Sequence, residues 1–164
     1  MDNESENMLS QAFELCEDGN YLEAIRLYDF VIQKDPKNIN ALIDKAVTLQ
    51  NIGKVNQAIR LYNKALKINP NNLDALINKG SALHTSEKYQ EAILCYNSAI
   101  AVDKKCAMAL AYKGLSLGEL GNLQEAIKHF KKALTIDNDF DLANISKKLA
   151  QDLLKKTEKK SKTL

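Results

Sequence analysis

The sequence has no tryptophan and only two prolines, six glycines, two histidines and three cysteines in 164 residues. So few turn-forming residues argue against an all-β sandwich and leave helices as the default element. The cysteines, Cys16, Cys95 and Cys106, are odd in number and form no CxxC pair, which suggests neither a disulfide framework nor a zinc knuckle and fits reduced thiols. His84 and His129 lie in no ligand motif; His129, beside Phe130 and between lysines, reads as a surface residue, and His84 as a solvated one. GxxxxGK, GxGxxG and GxSxG are absent, and Asp137 and Asp139 sit where helix caps are expected, so no catalytic residue, metal site or cofactor is assigned. No run approaches the roughly 18 apolar residues of a membrane span. The acidic start MDNESENML is unlike a secretion signal, and the expectation is a cytoplasmic protein.

What is present is balanced and periodic. With 45% apolar residues, 27% charged and a net charge of +2, the chain can bury a core. The segments GNYLEAIRLYDFVIQKDPKN, GKVNQAIRLYNKALKINPNN, EKYQEAILCYNSAIAVDKKC and GNLQEAIKHFKKALTIDNDF align without a gap and follow one another at a constant step. Ala24-Ile25, Ala58-Ile59, Ala92-Ile93 and Ala126-Ile127 keep that step, as do Tyr28, Tyr62, Tyr96 and Phe130. Upstream, Ala12, Ala46, Gly80 and Gly114 and then Leu15, Leu49, Leu83 and Leu117 form further columns. Spacings of three and four within each run predict two helices per unit, with Gly53 and Gly121 at the left-handed turn between them. The small columns imply close approach of the paired helices, Ala46 against Ala58 among them. A lone unit buries too little to fold, so successive units must stack. Asn38 and Asn72 are good N-caps after Pro36 and Pro70, whereas Cys106 stands where a cap is expected and predicts a weaker joint there.

These columns resemble the tetratricopeptide repeat in their period of about 34 residues and in having two helices per unit. They share with it small residues at the close contact, an aromatic four past the second alanine and proline at the junction. The usual tryptophan is Met8 or leucine here, and the usual first-helix tyrosine is leucine. The resemblance implies an all-α, right-handed α-α superhelix, or solenoid, of four helix-turn-helix units. They fall at about 5–38, 39–72, 73–106 and 107–140, and a capping helix at about 141–157 completes a single domain, 1–157. In that helix Leu142, Ile145, Leu149 and Leu153 are expected inward and Lys147, Lys148, Gln151, Asp152 and Lys155 outward; 158–164 reads as a basic flexible tail.

The first helices carry a second apolar stripe: Leu9 with Phe13, Ile43 with Val47, Ile77 with Ser81 and Ala111 with Leu115, four apart. In proteins resembling this one, that face lines the concave side and receives a peptide or helix from a partner. The alternative is that these residues only seal one first helix against the next. Family members that grip the C-terminal carboxylates of chaperones use lysines, an arginine and asparagines there. The matching positions are Leu9, Phe13, Asp44, Asp74 and Asn78 in one frame and Ile43, Val47, Asn78, Met108 and Tyr112 in the next. Only Asn78 of the second frame matches, so no binding of chaperone tails is expected. The expectation is an adaptor whose partner is another protein or peptide segment, held by Leu9, Phe13, Ile43, Val47, Ile77, Met108 and Leu115 and oriented by Asn78 and Tyr112.

The first eighteen residues hold six acidic groups and no basic one, while 147–164 holds seven lysines against two acids. A homo-oligomer, joined through oppositely charged ends or by one copy's tail helix filling a neighbour's groove, is a second reading, and a nucleic-acid or ribosome-associated factor a third. No aromatic residue is interleaved with the lysines to stack on bases, which argues against nucleic acid.

Overall fold

The structure, a computed structural model, describes residues 3–161, with side chains through residue 158. Among the described residues there are nine helices and no strand: α1 Asn3–Glu17, α2 Tyr21–Lys34, α3 Ile39–Asn51, α4 Val55–Ile68, α5 Leu73–Thr85, α6 Tyr89–Val102, α7 Ala107–Glu119, α8 Leu123–Ile136 and α9 Asp141–Ser161. They pair as an all-α tetratricopeptide-type solenoid, α1, α3, α5 and α7 being first helices and α2, α4, α6 and α8 second helices. The chain divides into two compact units, one up to Ala82 and one from Leu83, so that α5 contributes to both. Within the first unit α1 packs on α2, α2 on α3 and α3 on α4; within the second the order is α6, α7, α8, α9, with α7 also touching α9.

The close contact inside a pair is a small residue against an aromatic ring. Ala12, Ala24 and Tyr28 form one cluster, and Ala46, Ala58, Tyr62 and Ala65 form the heart of another. In the second unit a Cβ on Gly114 would lie 2.7 Å from the Phe130 ring, so only glycine fits there. Between the paired helices the chain turns through a left-handed residue, Gly19, Gly53 and Gly121 at φ near +78°, +78° and +77°. Glu87 takes the same turn at φ 59° without the glycine that makes it strain-free.

Junctions between pairs are built alike. Asp35, Asn69, Asp103 and Asp137 each accept a hydrogen bond from the backbone N–H two residues on, at 3.0, 3.0, 2.9 and 3.2 Å. This local turn forms with or without proline. Asn38 and Asn72 then cap α3 and α5 by accepting from Ala41 and Ala75 N–H. The cap expected to be missing at Cys106 is filled by its thiol, whose Sγ accepts from Ala109 N–H at 3.4 Å.

Two sequence expectations are corrected. His129 is buried, 8% exposed, and its Nδ1–H donates to the Glu125 carbonyl at 2.9 Å. Its column holds Leu27, Leu61 and Cys95, so it is an apolar position whose flanking lysines point elsewhere. In α9 the buried residues are Ala143 and Ala150, while Ile145, Leu149 and Leu153 are 68%, 60% and 42% exposed and Lys147 is half-buried. Ala143 and Ala150 stand one repeat after Ala109 and Ser116, both fully buried, whereas Ile145 stands one repeat after the fully buried Ala111 and is nonetheless exposed. Helix α9 also runs past 157, and residues 162–164 of the expected tail lie outside the described residues.

Three outcomes follow. Gly114→Ala should lower thermal stability by about 1–3 kcal/mol through the Phe130 clash. Glu87→Gly should raise it by about 0.5–1 kcal/mol by relieving the left-handed turn; denaturant melts of the two variants measure both. Burial first, then Lys113 and Lys132, hold the His129 imidazole below its ordinary value, against the opposing pull of Glu125. A depressed histidine is neutral in the fold, so stability is full at neutral pH and declines as pH falls below about 6.5, where the unfolded chain binds a proton the fold refuses. His129→Leu should flatten part of that acid-side decline in melting temperature measured between neutral pH and mild acid, and His84, also held low by burial, contributes in the same direction.

Candidate functional site

Adjacent first helices are tied by polar rungs near their C-terminal ends. Cys16 Sγ on α1 lies 3.3 Å from Thr48 Oγ1 on α3, and 3.8 Å from the Tyr28 hydroxyl beneath. Gln50 Nε2 on α3 donates to Ser81 Oγ on α5 at 3.4 Å, while the Tyr62 hydroxyl donates to Gln50 Oε1 at 3.3 Å. In the second unit His84 Nδ1 is 2.9 Å from Ser116 Oγ on α7, and that hydroxyl donates to the Tyr112 carbonyl at 3.2 Å. Since the serine proton is directed to a carbonyl, the histidine is the donor in the rung. His84 is therefore half-buried and bonded, with Tyr89 set edge-on at 5.1 Å, where sequence suggested a solvated ring.

Cys16, Gln50 and His84 are one column of the repeat, and its next member is Gly118. No side chain bridges α7 to α9 from that position, and a Cβ built on Gly118 meets nothing within 4 Å. In its place is an open cavity of about 170 Å³, lined among others by Gly114, Leu115, Phe130, Leu149 and Leu153. Sequence reasoning missed the rungs because thiol, amide, imidazole and nothing at all share no chemistry; only their equal spacing along the chain marks them.

The residues assigned from sequence fall into two groups. Ile43 and Ile77 are buried at 6% and 7%, and Ala111 is fully buried, so this column mainly seals helices together. Leu9, Val47, Asn78, Tyr112 and Leu115 are half-buried, and Phe13 and Met108 stand out at 63% and 46% exposed. In the first unit, Leu9 and Phe13 on α1, Val47 on α3 and Asn78 on α5 belong to helices joined by the rungs. In the second, Met108, Tyr112 and Leu115 lie along α7, with the Tyr112 ring 6.0 Å from that of Tyr96.

Charge on the first unit's face has one sign. Asp44 is exposed, yet loss of hydration and, second, the charge of Asp74 on α5 hold its carboxyl above the usual value. The same carboxylate adds to burial in pushing the Tyr62 hydroxyl up. The cation next along α3, Lys45, pairs with Asp29 on α2 instead. Such a face can accept hydrogen bonds and attract cations. Among the described residues no group of three or more His, Cys, Asp and Glu could hold a metal, and no helix is long and apolar enough to cross a membrane.

Comparison with known proteins agrees with this architecture. Residues 17–99 match the family model described as anaphase-promoting complex, cyclosome, subunit 3, and residues 107–140 match the tetratricopeptide repeat model. No curated protein matches the chain. Among solved structures, the MamA protein is 28% identical with a TM-score of 0.80, over 93% of this chain and 83% of that one. A tetratricopeptide repeat protein from Parabacteroides merdae superposes with a TM-score of 0.82 at 19% identity, over 96% of this chain and 62% of its own. The first TPR of Spaghetti (RPAP3), bound to the HSP90 peptide SRMEEVD, gives 0.70 at 24% identity, over 73% of this chain and 95% of that one. With the period, the paired helices and both family models in agreement, the chain belongs to the tetratricopeptide-repeat family of protein–protein interaction scaffolds.

Proposed function

We propose that the chain is an adaptor that holds an apolar or amphipathic segment of another protein against its first helices, and that it does so without a carboxylate clamp. The observation that carries this reading is Phe13, a large apolar ring left in water in the same repeat column as Val47 and Leu115. Exposed apolar side chains gathered on one face are the usual anchors of a peptide-binding surface. Leu9 and Val47 extend the anchor in the first unit, Met108 and Leu115 serve in the second, and Asn78 and Tyr112 orient the segment through polar atoms. Ile43 and Ile77 support the face from beneath.

Catalysis does not fit the same residues. Ser116, whose hydroxyl faces His84, is fully buried and its proton is directed to the Tyr112 carbonyl. The chaperone-tail reading fails on charge: at the positions matching a clamp the first unit places Leu9, Phe13, Asp44 and Asp74, and two carboxylates there would repel an acidic terminus.

Two measurements test this. Calorimetry with the peptide SRMEEVD should show no binding at micromolar concentration; a micromolar complex would refute the missing clamp. Partner proteins captured by the full chain should be lost, with helicity unchanged, when Phe13 and Val47 are both replaced by Asp, and their retention by the folded variant would remove the face from the function.

A further inference from the structure

We propose that the first unit's face has an occupant in a second copy of this chain, with Phe13 of one copy seated in the cavity between α7 and α9 of the other. This rests on the adaptor reading of that face and names a partner for it.

The argument begins with α9. Repeat arrays stay soluble by ending on a helix whose outer side is polar. Here Ile145 occupies the column in which Ile43, Ile77 and Ala111 are buried, yet it is mostly in water. Leu149 and Leu153 follow at four-residue steps, giving an apolar stripe about 12 Å long at 1.5 Å per residue. Beside the stripe the rung position is Gly118, and the cavity left there, about 170 Å³, has room for one large side chain. Phe13 is the most exposed aromatic ring among the described residues.

Charge selects the same pairing. Lys148, within the stripe, and Lys156, three residues past its end, are exposed, and Glu119 is the acid in the cavity lining. Glu6 and Glu17 lie on the Phe13 side of α1, exposed, with Asp44 and Asp74 on the neighbouring helices of that face. The face offers acids and a ring; α9 offers cations and a hole. Because knob and hole are different surfaces, every copy carries one of each, and the contact is heterologous: it can continue from copy to copy.

Sedimentation of the full chain tests this. Average mass should rise with protein concentration and fall as salt screens the charges. Phe13→Asp removes the knob and leaves the hole; Gly118→Leu fills the hole and leaves the knob. Each variant alone should be monomeric, and an equimolar mixture should form dimers that stop at two. Gly118→Leu should also melt no lower than the parent, since its Cβ enters open space, so loss of association cannot be laid to misfolding. Ile145→Asp, at an exposed site, is a second variant expected to be monomeric. A parent chain that stays monomeric at all concentrations, a Phe13→Asp chain that associates as the parent does, or a mixture that remains monomeric would each overturn the proposal. Monomeric parent chain together with partner capture that depends on Phe13 and Val47 would end the second-copy contact and keep the adaptor reading. Association by knob and hole with partner capture untouched by those substitutions would do the reverse.

Discussion

Everything in this molecule depends on how closely two helices can approach where a small residue meets an aromatic ring. Ala12 with Tyr28, Ala46 with Tyr62 and Gly114 with Phe130 fix that distance, and the ring fills what the small residue leaves open. Burying such a ring is worth about 1.5–3 kcal/mol, too little to order a hairpin alone, so each pair gains its stability from the next. Once the approach is fixed and repeated at a constant period without insertion, each column of the first helices recurs in the same environment. The rungs are a consequence: a side chain at the Cys16, Gln50 or His84 position reaches the neighbouring first helix because the packing below holds that helix within hydrogen-bond range.

Columns of large or small apolar residues were legible because size and period together leave one arrangement. The left-handed glycines and the Asn38 and Asn72 caps were legible for a local reason, since each serves a backbone need that few residues meet. Illegible features are those in which register outvotes chemistry. His129 looked like surface because lysines surround it, yet it occupies the Leu27 and Leu61 column and is buried with its proton on a carbonyl. In α9 the large residues suggested the inner face, but Ala143 and Ala150 are the buried ones, and Ile145 is exposed although its column is buried at Ile43, Ile77 and Ala111. Cys106 caps α7 although a thiol is a poor acceptor, because the turn delivers it to the right place.

The candidate site divides along the same line. Two columns four residues apart were equal in sequence, one through Ile43 and Ile77, the other through Phe13 and Val47. Helix-to-helix contact takes the first into the core and leaves the second accessible, a distinction that depends on how neighbouring helices are rotated and not on hydrophobicity. Asp44 was read from sequence as the loss of a cation. The structure adds that lost hydration and, second, the charge of Asp74 hold its carboxyl above the usual value.

Separation of columns also explains how one unit can differ in its surface while remaining a repeat. The packing column of small residue and ring is kept at Gly114 and Phe130, where a Cβ on the glycine would meet the ring. Four residues later, in the rung column, Gly118 removes a side chain and opens a cavity without disturbing that contact. The packing and rung columns lie four residues apart on α7, so a change at the rung alters the surface beside the contact of Gly114 with Phe130. The rung positions, more than the core, are therefore where the individuality of this chain resides.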